Sequence, residues 1–385
     1  SLHNYYQQPG GEDTEFAAEA ALLREHGHQV MTYVDDNARI DNMNRFAVGA
    51  NTIWSSASKD KLLKVLRMME PDVAHFHNTF PLISPAGYYA CRKMGVPVVQ
   101  TLQNYRLICP SATFYRDDRI CEDCLGKTPP WPSVLHGCYR GSRLQTAAVA
   151  MMLTVHRWLQ TWQQQVNAYV ALTEFARGKF IEAGLPPGKL LVKPNIIHPD
   201  PGVQTDKDPY VLFLGRLSSE KGLETLLKSW RCIRGIPLKV AGQGPLMEKL
   251  GSVIQTRGDI ELLGWRSHDQ ALELLRRAYV LVFPSEWYEG FPLTISEAFA
   301  CGTPIIASRL GAMGEIIEDG RTGLHFTPGD HEELARVVDW AWEHPIQMKE
   351  MGREARREFE EKYTAERNHK ILMTIYTQAA EDAGV

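Results

Sequence analysis

No stretch of this chain stays apolar for the roughly 18 residues needed to cross a bilayer, and no signal-peptide pattern is visible near its start. Cysteine is sparse and odd in number, seven residues in all, which argues against a secreted disulfide framework and for a reducing, cytoplasmic setting. Charge of one sign is not in excess: 42 Lys and Arg face 46 Asp and Glu, a net charge of -4 that gives no support to nucleic-acid binding. No internal repeat or low-complexity tract stands out. A complete G-x-G-x-x-G is also missing. Ala241-Gly242-Gln243-Gly244-Pro245 comes near it, but Met247 stands where the third glycine belongs. A nicotinamide-dependent oxidoreductase therefore lacks its fingerprint.

What is present is an alternation of apolar strands and amphipathic helices. At 385 residues, 44% hydrophobic and 23% charged, the chain suits two or three soluble globular domains. Val30–Val34, Val73–Phe76, Val96–Leu102 and Tyr169–Leu172 read as strands of a first half, preceded by a short or clipped strand before Gly10-Gly11. Tyr210–Leu214, Leu238–Ala241, Ile260–Leu263, Val280–Phe283 and Ile305–Ala307 read as strands of a second half. Near-continuous apolar strands between helices imply parallel sheets covered on both faces. Two such sets imply two doubly wound α/β domains with ligands outside the carboxyl ends of the strands. The expected boundaries are residues 1–198, residues 199–364 and a last helix within residues 365–385. Lys193-Pro194-Asn195-Ile196-Ile197-His198-Pro199 forms the linker.

The richest segment is Ser285 to Ser308. Glu289 and Glu297 stand eight positions apart, with Gly290-Phe291-Pro292 between a buried strand and a helical pattern that starts at Leu293. A helix N-terminus offers free N–H groups and a positive dipole end to phosphate, and carboxylates accept hydrogen bonds from hydroxyls. Pro292 has no N–H, which leaves Phe291 and Leu293 as the donors there. A second segment, Gly215-Arg216-Leu217-Ser218-Ser219-Glu220-Lys221-Gly222, puts two cations at a strand's end. Arg and Lys at this spacing can clamp a diphosphate.

Together these segments resemble the E-x7-E and G-R-L-x-x-x-K-G signatures of retaining glycosyltransferases of family 4, which have the GT-B fold. The resemblance implies two facing Rossmann-like domains with an interdomain cleft that closes over substrates, and a last helix crossing back to the first domain. It implies transfer of a sugar from a nucleoside-diphosphate sugar to an acceptor hydroxyl with retention. The attack comes from the same face, and the donor phosphate takes the acceptor's proton, so no catalytic metal is expected. Arg216 and Lys221 would hold the leaving diphosphate. Glu289 would contact the sugar and Glu297 the ribose. Gly215, Gly242, Gly244, Gly290, Phe291 and Leu293 would line the donor pocket. Trp265 falls where the base is held, and both base stacking and burial as a structural residue suit it. In the first domain the Pro9-Gly10-Gly11 loop would lie against the donor phosphate. Pro71-Asp72-Val73-Ala74-His75-Phe76-His77 resembles the D-V-x-H-x-H segment, which makes His77 a catalytic candidate and His75 structural. Asn104, Tyr105 and Arg106 follow as acceptor contacts. Ile196 replaces the glycine usual in the family's linker.

Residues 105–143 form an insertion that typical members lack. Cys109, Cys121, Cys124 and Cys138 are spaced C-x11-C-x2-C-x13-C. Four thiolates ligating a structural zinc and four unligated thiols both satisfy this spacing. From Leu125 to Thr173 there is no Asp or Glu, while Lys127, Arg140, Arg143 and Arg157 are present. Ala148, Met152, Val155, Leu159, Trp162 and Val166 recur at helical spacing. A core-packing helix has this pattern, and so does a helix lying on an anionic membrane. The expected acceptor is a glycan or lipid-phosphate-linked glycan in bacterial polysaccharide assembly, handled at the inner face of the plasma membrane. Rival readings are a GT-B sugar phosphorylase, a nucleotide-sugar epimerase, and a catalytically dead sugar-nucleotide-binding protein.

Overall fold

The computed structural model describes residues 1–7, 10–248, 251 and 257–384. Pro9 lies outside them. The chain divides into two compact units: Ser1–Phe114 with Cys121–Ile196 and Asn368–Val385, and Ile197–Arg367 with Tyr115–Ile120.

The first unit is built on a six-stranded parallel sheet. Its strands are β1 (Leu2–Tyr5), β2 (Tyr33–Asp36), β3 (Ala74–Phe76), β4 (Val98–Thr101), β7 (Ala168–Ala171) and β8 (Leu190–Val192), in the order β2-β1-β3-β4-β7-β8. Between β4 and β7 lies a small antiparallel hairpin, β5 (Tyr115–Arg116) and β6 (Arg119–Ile120). The second unit has six parallel strands: β9 (Asp208–Leu214), β10 (Leu238–Ala241), β11 (Ile260–Gly264), β12 (Ala278–Phe283), β13 (Ile305–Ser308) and β14 (Gly323–Phe326). Their order is β11-β10-β9-β12-β13-β14, the doubly wound order in which strand 1 lies at the centre. The expectation of doubly wound α/β architecture is borne out.

Central strands were legible because both their faces are buried, and β4, β7 and β13 are buried at every position. Edge strands were not. The apolar run at Val30–Val34 leads into β2, but the strand itself is Tyr33–Asp36 and carries two acids. At an edge, backbone pairing to one neighbour suffices and side chains on one face meet water. The short edge strands β8 and β14 escaped for the same reason.

The acid-free segment does not form one continuous helix. A helix runs from Arg143 to Trp158, started by Ser142, whose Oγ accepts from Gln145 N at 3.3 Å. Gln160 then adopts a left-handed φ of 52°, and a short helix, Thr161–Gln164, follows. Met152, Trp162 and Val166 are buried, whereas Leu159 is exposed. The single stripe expected from periodicity is thus split between core and surface.

A buried ionic cluster ties the first unit together. Lys193 Nζ lies 3.0 Å from Glu19 Oε2 and 3.8 Å from Glu15 Oε1. It also donates to Asn368 Oδ1 at 3.1 Å, and Asn368 Nδ2 donates to Pro194 O at 2.7 Å. The last helix, Ala365–Ala383, is held further by Tyr376, whose Oη lies 2.8 Å from His75 Nδ1. Its Ile375 and Ala379 pack with Val99, Ala168 and Val170. Ile196 is buried, and its N–H donates to both Glu15 oxygens at 3.2 Å, so the linker's end is fixed by a carboxyl group rather than a glycine turn.

Burial pushes the Glu15 carboxyl up to about 8 against the pull of Lys193. At Glu19 burial also disfavours the charge, but His75, Lys193 and His77 outweigh it and hold that carboxyl well below the usual range. One ammonium and one carboxylate therefore share the interior. Glu15 holds a proton in the folded state that the unfolded chain has lost above its ordinary value of 4.5. Its contribution is complete below that value and disappears as the pH climbs to about 8. Glu15→Gln is expected to gain on wild type by about 1.4 kcal/mol per pH unit over this window. Urea unfolding of both proteins across it measures the difference, and parallel stability curves would contradict the assignment.

Candidate functional site

In the second unit the strand order reverses between β9 and β12, and the crevice of such a sheet lies outside the carboxyl ends of those two strands. β9 delivers Gly215 and Arg216, and β12 delivers Ser285. Lys221 Nζ donates to Glu289 Oε1 at 2.6 Å, and Ser285 Oγ donates to the same oxygen at 2.7 Å. The Lys221 ammonium also lies 5.1 Å from the centre of the Trp287 ring and 5.7 Å from that of Phe283. Glu289 is buried, so this charge is held by paired donors rather than by water. Arg216 is exposed, and its guanidinium carries no hydrogen bond or ion pair among the described residues.

Backbone contacts without a Cβ hold these loops together. Gly222 has φ +69°, and a Cβ there would sit 1.8 Å from Pro284 O. Gly242 has φ +144°, and its Cβ would sit 1.8 Å from Gly215 O. Only glycine lets the Arg216–Lys221 loop lie against the end of β12 on one side and β10 on the other. Gly244 follows within the same turn, where Gln243 O accepts from Leu217 N at 2.9 Å. Gly242 N donates to Gly264 O at 2.9 Å, which brings the end of β11 and Trp265 alongside. Trp265 is 63% exposed, which removes the reading of a buried structural tryptophan.

After Gly290 and the buried Phe291 comes the helix Leu293–Ala300, with Pro292 as its cap residue and no side-chain cap. Its first N–H groups therefore have no side chain of the cap to serve. Glu297 sits in this helix with its carboxyl largely buried. Burial pushes its pKa up, against the pull of His268, whose Nδ1 lies 3.6 Å away.

In the first unit the order reverses between β1 and β3. Beyond these strands lie Gly10 and Gly11, which open the helix Gly11–Glu25, and His77. Asp13 Oδ2 accepts from Gly10 N at 3.0 Å, and Asp13 Oδ1 lies 2.7 Å from His3 Nε2. His77 is buried beside Glu19, its Nε2 3.1 Å from Glu19 Oε1, a close but unaligned approach. Burial, with His75 as a neighbour, pulls the His77 imidazole down to about 4, so it is neutral at physiological pH. Asn104 Nδ2 donates to Glu12 Oε1 at 2.7 Å and to Tyr6 Oη at 3.2 Å. Arg106 lies over the rings of Phe80 at 4.4 Å and Tyr139 at 5.0 Å. Tyr105 departs from its expected place as an acceptor contact. Its ring is buried against Phe114 and Phe180 at 5.0 and 5.7 Å, because the turn between the half-buried Asn104 and Arg106 points it inward.

In the insertion, Cys124 has Cys109 and Cys138 as electrostatic neighbours. Among the described residues, the group whose ligand atoms lie within 4.8 Å of one another is Glu19, His75 and His77. Cys124 Sγ donates to Pro130 O at 3.7 Å, and burial pushes its thiol up to about 11, the behaviour of a protonated thiol. Cys109 Sγ sits 3.1 Å from Ser111 Oγ. At the Glu19 group, the Lys193 ammonium already supplies the compensating charge.

Several residues here carry no sequence signature. Ser285 opens the segment that carries Glu289, but nothing in its spacing marks it as a donor to that carboxylate. His268 lies in a separate helix, and Lys193 read only as the start of a linker.

Residues 197–358 match the family model for glycosyl transferases group 1. Over 162 residues the chain is 32% identical to D-rhamnosyltransferase WbpZ of Pseudomonas aeruginosa, covering 40% of this chain and 42% of that protein. Over 156 residues it is 34% identical to glycogen synthase of Mycobacterium tuberculosis, covering 38% and 37%. The chain thus spans less than half the length of these curated relatives. In structure it is similar to HepE of Anabaena in complex with UDP, with TM-score 0.69 and 16% identity over 98% of this chain and 99% of that one. Sucrose-phosphate synthase of Thermosynechococcus elongatus gives the same TM-score of 0.69 and 16% identity, over 97% and 94%. The chain has the GT-B fold, and the residues that match the glycosyl transferases group 1 model lie in its second unit.

Gly222→Ala is expected to destabilise the second unit by more than about 1 kcal/mol. Gly258→Ala, where a Cβ meets nothing within 4 Å, serves as the control and is expected to stay within about 0.5 kcal/mol. Equal urea midpoints for the two variants would show that the loop contact does not constrain the site.

Proposed function

We propose that this chain is a retaining glycosyltransferase that moves a sugar from a nucleoside-diphosphate sugar to an acceptor hydroxyl. The acceptor class we infer is a glycan or lipid-phosphate-linked glycan of polysaccharide assembly. An anionic membrane surface is a further partner, on the cytoplasmic face of the plasma membrane. No described helix is long and apolar enough to cross a membrane. One observation carries the reading: the Lys221–Glu289 pair at the point where the second sheet reverses, with the exposed Arg216 two residues beyond the end of β9.

In this reading Arg216 and Lys221 bind the leaving diphosphate and stabilise the charge that develops as the glycosidic bond to phosphate breaks. Glu289 has a second role before substrate arrives. It fixes the Lys221 ammonium, so that little reorganisation remains at the moment of reaction. Its other oxygen accepts from a sugar hydroxyl. Glu297, raised by burial, meets the ribose, and Trp265 offers an exposed ring to the base. His77, neutral by burial, is the proposed partner of a substrate hydroxyl in the first unit. Asn104 and Arg106 are proposed acceptor contacts. The acceptor proton passes to a donor phosphate oxygen as the new bond forms on the face the diphosphate leaves. This route asks for no protein base.

Two measurements test this. Thermal-shift titration with UDP, GDP, ADP, dTDP and NAD is expected to show a rise with one nucleoside diphosphate, about 2.7 kcal/mol at 100 times its dissociation constant. The rise is expected to vanish in Arg216→Ala/Lys221→Ala, while Glu289→Gln loses turnover on the order of 100-fold. UDP is the first ligand to try, given the UDP bound in the Anabaena structure. A rise with NAD alone would overturn the reading. NMR of the product from an α-configured donor is expected to show an α linkage, and a β linkage would reject retention.

A further inference from the structure

The helix Arg143–Trp158 is apolar on two sides. Val149, Met152, Leu153 and His156 face the core. On the outer side stand Leu144, Met151 and Trp158, spaced by seven and therefore on one face. Leu144 is 70% exposed and Trp158 is 75% exposed. The outer face of a helix on a water-facing surface is ordinarily polar, and an apolar outer face calls for a cover.

The neighbouring helices extend the patch. Helix Trp131–His136 packs against this one and presents Trp131 and Leu135, both exposed. Arg157 Nη1 fixes its approach by donating to Lys127 O and Thr128 Oγ1, each at 2.8 Å. Helix Arg45–Ile53 runs alongside, with Gly49 against Ala148 and Ile53 O 2.8 Å from His156 Nε2, and leaves Phe46 81% exposed.

Cations rim these apolar side chains. Arg45, Lys127, Arg140 and Arg143 are exposed, and Lys127 lies 5.4 Å from the centre of the Trp131 ring. Acids are missing from residues 42–59 and 125–173, the two segments that build the patch. A second copy of this chain would set like cations face to face across a two-fold axis, which is unfavourable. A surface that is both apolar and negatively charged meets every feature. The helix is not long and apolar enough to span, and a helix lying flat with this face down would set Trp158 at the headgroup level.

We propose that the outer face of helix Arg143–Trp158, widened by Trp131, Leu135 and Phe46, is a docking surface for anionic bilayer lipid. This deepens the membrane part of the function proposed above, and its test does not depend on turnover. Co-sedimentation of the whole protein with phosphatidylcholine vesicles and with vesicles half phosphatidylglycerol is the experiment. Binding is expected on the anionic vesicles alone and is expected to fall steeply with salt. Arg143→Gln is expected to weaken it about five-fold and Trp158→Glu by about tenfold or more. Met68→Glu, at an exposed apolar residue off the patch, is expected to change nothing.

The variants' thermal shift with nucleoside diphosphate reports the fold and the donor site separately. If it persists while vesicle binding is lost, the patch is the cause. Equal binding to neutral vesicles, no vesicle binding by wild type, or an unchanged Trp158→Glu variant would each overturn the proposal. So would a lipid-free dimer in sedimentation velocity that Trp158→Glu dissolves, since it would make this face a self-association surface.

Discussion

A fully buried carboxylate, Glu19, organises the first unit. Its Oε2 meets Lys193 at 3.0 Å, and its Oε1 lies 2.8 Å from His75 and 3.1 Å from His77. An unpaired charge at that depth would cost several kcal/mol. Glu19 stands in helix Gly11–Glu25, and the groups around it come from strand β3 and its end, from the end of β8 and, through Lys193 and Asn368, from the last helix. Four segments distant in sequence are thereby held to one point. His77 reaches its position by being part of that cluster, and the burial that makes the cluster dry also keeps His77 neutral.

The second unit works by a different constraint. Its site loops are short and are drawn together by backbone rather than by side chains. Gly222 lies on Pro284 O and Gly242 on Gly215 O. Those approaches bring Lys221 within 2.6 Å of Glu289 although 67 residues separate them in the chain. The pair then serves two ends. It neutralises a buried carboxylate, and it fixes an ammonium in the loop that the exposed Arg216 opens.

The outer surface of helix Arg143–Trp158 shows how far a periodic pattern reaches. Ala148, Met152, Val155 and Leu159 recur at helical spacing, and so do Leu144, Met151 and Trp158. Both sets are apolar, and periodicity alone cannot say which one meets the core. Packing against helix Arg45–Ile53 and the turn at Gln160 decide it: Met152 goes inward and Leu159 outward. Tyr105 is a similar case. It stands between Asn104 and Arg106, but a turn sends its ring into the core, away from the surface its neighbours share.

By itself the sequence determined the doubly wound architecture, because parallel strands buried on both faces must read as continuous apolar runs. It also marked Arg216, Lys221, Glu289 and Glu297, because loops at the carboxyl ends of strands concentrate charged residues in short contiguous motifs. Only the tertiary structure decided which of those charges meet. Lys221 is paired, the Arg216 guanidinium carries no hydrogen bond or ion pair among the described residues, and Trp265 is open rather than buried. Only it decided that Lys193, Glu15 and Glu19 form one cluster. The reason is common to all of these. Local pattern reports what a segment does with its own hydrogen bonds and apolar faces, whereas a charge buried by distant segments is set by the packing of all of them at once.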